Sequence, residues 1–209
     1  ILYSDIEVVD NNDKDVFTNM MNVDLTEYYY ADGDHQIVYD IDLQRPKGRL
    51  KCITTDMDDY LKNDNATVDE ITAVVTYVQY VSAGYNVEEQ RPNYFEPTRT
   101  FVSKARVDED GKLELCYDYV FVNGKQTNVK INMKFYNGRV SFSGDTLVRE
   151  DGSIVTPEEC ITSWPSISVP LKRNMETIVS GRLLTTTFDP GGIGINPGFE
   201  DEIVIPWYD

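Results

Sequence analysis

The chain has 209 residues, 41% of them hydrophobic and 26% charged, enough apolar material to bury a sizeable core. Its 36 Asp and Glu against 19 Lys and Arg give a net charge of -17, a sign that repels nucleic-acid phosphates and anionic headgroups. Fourteen Tyr and 8 Phe exclude a disordered chain, and no apolar run approaches the roughly 20 residues of a membrane-spanning helix.

Ile1–Val9 reads as a strand, and the polar run Asn11–Asp15 after it as a linker. Residues 1–15 are therefore expected to be a leading strand and linker, the remnant of a preceding domain. Residues 16–185 are expected to form a β-sandwich domain, and 186–209 a C-terminal tail or edge strand. Further strands are expected over Gln36–Leu43, Arg49–Thr54 and Ile71–Val81. One short helix is expected near Asp56–Lys62, where Thr55 or Asp56 can cap an acidic first turn.

Period-two alternation is cleanest in Val129–Phe135, where Val129, Ile131, Met133 and Phe135 share one face. Before it, Leu113 to Val122 puts Leu113, Leu115, Tyr117, Tyr119 and Phe121 on one side. Asp110-Gly111, Asn123-Gly124 and Asn137-Gly138 are dipeptides that favour tight hairpins. Arg99 to Phe142 is thus predicted to be a four-stranded antiparallel meander, with Leu113–Val122 paired to Val129–Phe135. Ser166–Leu171, Thr177–Leu183 and Glu202–Ile205 complete the strands. The fold class expected is all-β: an antiparallel β-sandwich, transthyretin- or Ig-like, Greek-key with a central meander and at most one short helix.

Little in the sequence points to catalysis. The one histidine, His35, lies in a turn-like polar stretch and reads as a solvated loop residue. Cys52, Cys116 and Cys160 form no CxxC pair and read as free thiols. Asp56, Asp58 and Asp59, or Asp10, Asp13 and Asp15, have oxygen ligands for calcium but lack the glycine turn and distal glutamate of a calcium loop. Gly191-Gly192-Ile193-Gly194 has no following lysine and is no phosphate loop. No catalytic residue, cofactor or metal is expected. Tyr28, Tyr29 and Tyr30, with Tyr77, Tyr80, Tyr85 and Tyr94, offer an alternative function, an aromatic platform for carbohydrate. A glycoside-active acid pair is a third reading.

The tail is Gly- and Pro-punctuated yet carries Ile193, Ile195, Phe199, Ile203, Ile205 and Trp207. Pro206 has no ladder donor, so a strand there is short or at an edge. Those six residues are the expected assembly interface, by addition of a strand to a neighbouring subunit.

Three stretches resemble one family. Ile41-Asp42-Leu43-Gln44-Arg45-Pro46-Lys47-Gly48-Arg49-Leu50, continued by Thr54-Thr55-Asp56, resembles a strand of the fimbrillin-like surface proteins of Bacteroidales. Val169-Pro170-Leu171-Lys172-Arg173-Asn174, with Ser180-Gly181-Arg182-Leu183-Leu184-Thr185, resembles their penultimate segment. Gly192-Ile193-Gly194-Ile195-Asn196-Pro197-Gly198-Phe199 resembles their closing tail. The resemblance implies a non-enzymatic pilus subunit or accessory protein, a lipoprotein in export, at the outer-membrane surface or secreted. Its partners would be other fimbrial subunits, joined by strand exchange, and it would bind neither nucleic acid nor insert this segment in a membrane.

Overall fold

A computed structural model describes residues 6–8, 14–26, 29, 33, 38–63, 66–68, 70–79, 81–186 and 203–206, with backbone alone for the first and last of these. In chain order the elements begin with β1 (Ile6–Val8), β2 (Lys47–Thr54), helix α1 (Met57–Tyr60), β3 (Thr72–Tyr77), β4 (Val81–Asn86) and β5 (Arg91–Glu96). They continue with β6 (Arg99–Lys104), β7 (Arg106–Val107), β8 (Leu113–Phe121), β9 (Gln126–Tyr136), β10 (Val140–Ser143) and β11 (Thr146–Arg149). After a 3-10 turn at Pro157–Glu159 come β12 (Thr162–Lys172), β13 (Met175–Gly181) and β14 (Ile203–Pro206).

The fold is an all-β sandwich. One five-stranded sheet has the order β1-β6-β3-β9-β12 and the other β14-β13-β2-β8-β7, with β4-β5 and β10-β11 as separate two-stranded ribbons. Most pairs are antiparallel; β1 with β6 and β13 with β2 run parallel. Between the sheets, Leu50, Cys52, Val75, Phe101, Leu115, Ile131, Met133 and Phe135 are fully buried. Removing such surface from water is the main stabilising term. Cys52 and Cys116 face each other across the β2–β8 ladder as free thiols. Cys116 is pushed well up by its hydrogen bond with Cys52 and by burial.

The expected shared burial of Val129, Ile131, Met133 and Phe135 holds. The expected partner does not: β8 pairs with β2 and β7, whereas β9 pairs with β3 and β12. The meander is corrected to a chain that changes sheet between β6 and β8 and again between β8 and β9. Alternation fixes which face is buried and not which strand lies alongside. Gly124, at φ 65°, turns the chain as expected, but into the opposite layer. Asp110-Gly111 does close a hairpin, between β7 and β8, with Gly111 at φ 77°.

The faces of β8 also differ from the expected alternation. Its register shifts between Cys52 and Ile53, which leaves Leu115 as an extra residue. Such a bulge reverses the alternation. Leu113 and Leu115 therefore join Cys116 and Val120 in the core, while Tyr117 and Tyr119 lie against Arg49. The described part of the expected strand Gln36–Leu43 is not a strand. Residues 38–43 are exposed and only Gln44 makes a bridge, to Thr18; with no face buried, the apolar alternation there has nothing to pair it.

Candidate functional site

Two of the six expected assembly residues, Ile203 and Ile205, lie at the edge of the second sheet. On one side β13 pairs with β2, from Glu176↔Arg49 to Gly181↔Thr54. On the other it pairs antiparallel with β14, through Met175↔Pro206, Glu176↔Ile205, Thr177↔Val204 and Ile178↔Ile203. Ile203 and Ile205 thus belong to a four-residue outer strand ending in a proline. Ile193, Ile195, Phe199 and Trp207 lie outside the described residues. The other sheet also ends in a short strand, since β1 covers only Thr100–Val102 of β6.

The chain leaves β13 through a buried staple. Asp56, 2% exposed, accepts hydrogen bonds from the Thr185 backbone N–H at 2.7 Å, the Thr185 hydroxyl at 2.6 Å and the Leu184 N–H at 3.2 Å. The Thr54 hydroxyl also donates to Asp56, while Leu183 N–H donates to Thr54 Oγ1 at 3.2 Å. The sequence offered Asp56 as a helix cap, or else as part of a solvated acidic turn. It makes no side-chain cap bond to α1, because its oxygens serve donors on the far side of the sequence. Asp59 pairs with Lys62 and Arg182, and Asp15 with Arg45; Asp10, Asp13 and His35 lie outside the described residues. Among the described residues no group of three or more His, Cys, Asp or Glu is placed to hold a metal ion.

The sequence reading missed a buried charge cluster. Asp118, wholly buried on β8, receives Lys14 Nζ at 3.1 Å on Oδ1 and the Tyr77 hydroxyl at 3.0 Å on Oδ2. Lys47, also wholly buried, donates to the Lys14 carbonyl at 2.6 Å and lies 4.5 Å above the Phe121 ring. Arg99 is buried too, at the opening of β6. The signal for this site was Asp118 itself, one of two carboxylates, with Glu114, in a strand whose other residues are apolar or aromatic. Its cationic partner, Lys14, is 104 residues away and left no local trace.

Burial holds Lys47 down at about 7, against an ordinary 10.5; Asp118 and Asp15 pull it up, and Arg99 and Lys14 push it further down. Below pH 7 this lysine is protonated both folded and unfolded, and the folded chain bears the full cost of the buried charge. Between 7 and 10.5 the unfolded chain binds a proton that the folded chain does not, so stability rises with pH. The rise is expected to be on the order of a few kcal/mol over that window. Urea unfolding at pH 6.5, 7.5 and 8.5 should show it, and Lys47→Met should flatten it.

Two further surfaces were not expected. Large exposed apolar side chains concentrate in the segments around residues 17–25 and 38–43, among them Met20, Met21, Leu25, Val38, Ile41 and Leu43. The two segments are tied by reciprocal backbone bonds between Thr18 and Gln44, at 2.9 and 3.0 Å. On the second sheet, Arg49, Lys51, Arg106, Asp108 and Glu114 line an open cleft of about 450 Å³. Its charges are matched by ion pairs, Arg106–Glu114 at 2.7 Å and Lys51–Glu114 at 3.3 Å.

The tyrosines do not share one setting. Tyr77 is buried, Tyr85 stacks on Phe121 at 5.4 Å, and Tyr29 and Tyr94 are exposed; Tyr28, Tyr30 and Tyr80 lie outside the described residues.

No curated protein matches the chain. A family model covers it almost end to end, over residues 1–208. The chain with this edge strand and buried charge cluster belongs to DUF6562, a family of unknown function.

Proposed function

We propose that the chain is a structural, non-enzymatic subunit or accessory protein of a cell-surface fibre, assembling by strand addition. The observation that carries this reading is β14. It fills the edge of the second sheet with four residues only, and the chain reaches it from a segment that Asp56 pins. An outer strand of that length makes few ladder bonds, and the same strand from a neighbour replaces them one for one. The exchange therefore costs little in hydrogen bonding, and local concentration decides which copy is bound. Exposed apolar side chains around 17–25 and 38–43 support the reading, because extended patches of this kind mark contact surfaces. The resemblance to fimbrillin-like proteins supports it as well, and from it follow other subunits as partners and an extracellular or outer-membrane location.

Truncation after Thr187 is the test. The expected result is a chain that still unfolds cooperatively on heating but no longer enters polymers. Loss of the fold would make β14 an ordinary sheet strand and remove the basis of the proposal.

A second reading, a carbohydrate-binding surface module, rests on Tyr94 and Phe95. Both are exposed on β5, at 68% and 53%, and Tyr94 holds a φ of 52°, a conformation uncommon for a bulky residue and often found where a side chain is being presented. Loss of glycan retention in Tyr94→Ala, with polymer entry unchanged, would favour it over strand addition.

A further inference from the structure

The Lys14–Asp118 contact is more than an ion pair by its setting. Both side chains are essentially out of water, at 4% and 0% exposure, with amine and carboxyl 3.1 Å apart. The Tyr77 hydroxyl holds the other carboxyl oxygen at 3.0 Å, and the Phe101 ring lies 5.8 Å from the Lys14 amine. We propose that Lys14 and Asp118 condense into an amide between Lys14 Nζ and Asp118 Cγ, a cross-link closing a loop of more than a hundred residues.

The step balances without any co-reactant. In a low-dielectric surrounding separated charges are costly, and the proton shared in the hydrogen bond passes from Lys14 to Oδ1. This leaves a neutral amine beside a carboxylic acid. The amine lone pair forms the new bond to Cγ. Oδ2, which receives the Tyr77 hydrogen bond, takes up the developing negative charge, the role of an oxyanion donor. The Cγ–Oδ1 bond then breaks, and Oδ1 departs as water with the proton already transferred and a second one from the nitrogen. One N–H remains on the amide. Fixing the two groups in contact supplies an effective concentration that reaches roughly 10⁵ M or more in well-oriented intramolecular reactions. Tyr77 stays protonated throughout, since burial and the neighbouring Asp118 raise its pKa. The product also relieves the core of two of its buried charges while Lys47 keeps its bond to the Lys14 carbonyl.

The bond is independent of strand addition, because it is read on a single chain. Intact-mass measurement of the folded full chain should give a value below the sequence mass by one water, about 18 Da. Fragmentation of a protease digest should join the peptide holding Lys14 to the one holding Asp118. Lys14→Arg, which keeps the positive charge but lacks the amine, should have the full mass, and Tyr77→Phe should acquire the deficit more slowly. A wild-type mass equal to the sequence after prolonged incubation of the folded chain overturns the proposal. So does a deficit that survives in Lys14→Arg, or a linked peptide that contains Lys47 instead.

Discussion

Relative to wild-type chain in which Lys14 and Asp118 are still an ion pair, before any amide has formed, replacing Asp118 by alanine is expected to lower the unfolding free energy by on the order of 3–5 kcal/mol, the cost typical of removing one partner of a buried ion pair. The reason is the imbalance left behind. Asp118 is the carboxylate that faces Lys14 and Tyr77 directly, and it is the largest charge that draws Lys47 upward. Without it, Lys14 keeps an ammonium in a site closed to water, the Tyr77 hydroxyl loses its acceptor, and Arg99 and Lys47 add repulsion. Asp118→Asn should cost less, since the amide oxygen still accepts from Tyr77 and only the charge is lost. Urea midpoints of the two variants against the wild type measure the difference. A midpoint unmoved in Asp118→Ala would mean that the cluster is solvated in the folded chain.

Asp56→Ala is expected to cost about 2–4 kcal/mol, because the buried Leu184 N–H and the part-buried Thr185 N–H lose their acceptor together. The effect should be uneven along the chain. Hydrogen exchange should speed up at Leu183, Leu184 and Thr185, where Thr54 and Asp56 now hold the amides, while Ile131 and Met133 in the core stay protected. Asp56→Asn, with one remaining acceptor oxygen, should fall between. Uniform loss of protection across both sheets would assign Asp56 to the core rather than to the staple of the C-terminal segment.

Residues such as these mark where sequence reading stops. Alternation in Val129–Phe135 identified a buried face because every second side chain enters the core. It was silent on neighbours: a short turn with Gly124 serves an arch between layers as well as a hairpin within one. The split of Leu113 and Leu115 from Tyr117 and Tyr119 depends on a bulge opposite β2, a property of two strands about sixty residues apart. β5 escaped notice because Arg91–Glu96 contains a proline and no alternation, and it is ordered by pairing with β4. The edge position of Ile203 and Ile205 was legible, since Pro206 cannot donate to a ladder. Asp56 looked like a local cap because its acceptors' true partners lie about 130 residues downstream.

On the reading proposed above, β14 changes hands between chains. Glu176 and Ile205 stand directly opposite each other in the β13–β14 ladder. Glu176→Cys with Ile205→Cys, in a chain also carrying Cys160→Ser, closes a disulfide that fixes β14 to its own sheet. The measurement is the mass distribution of this full chain in solution, oxidised and then reduced. Strand addition predicts monomers while the bond is closed and larger assemblies once it is opened. Assembly of the oxidised chain, or none in either state, would contradict it.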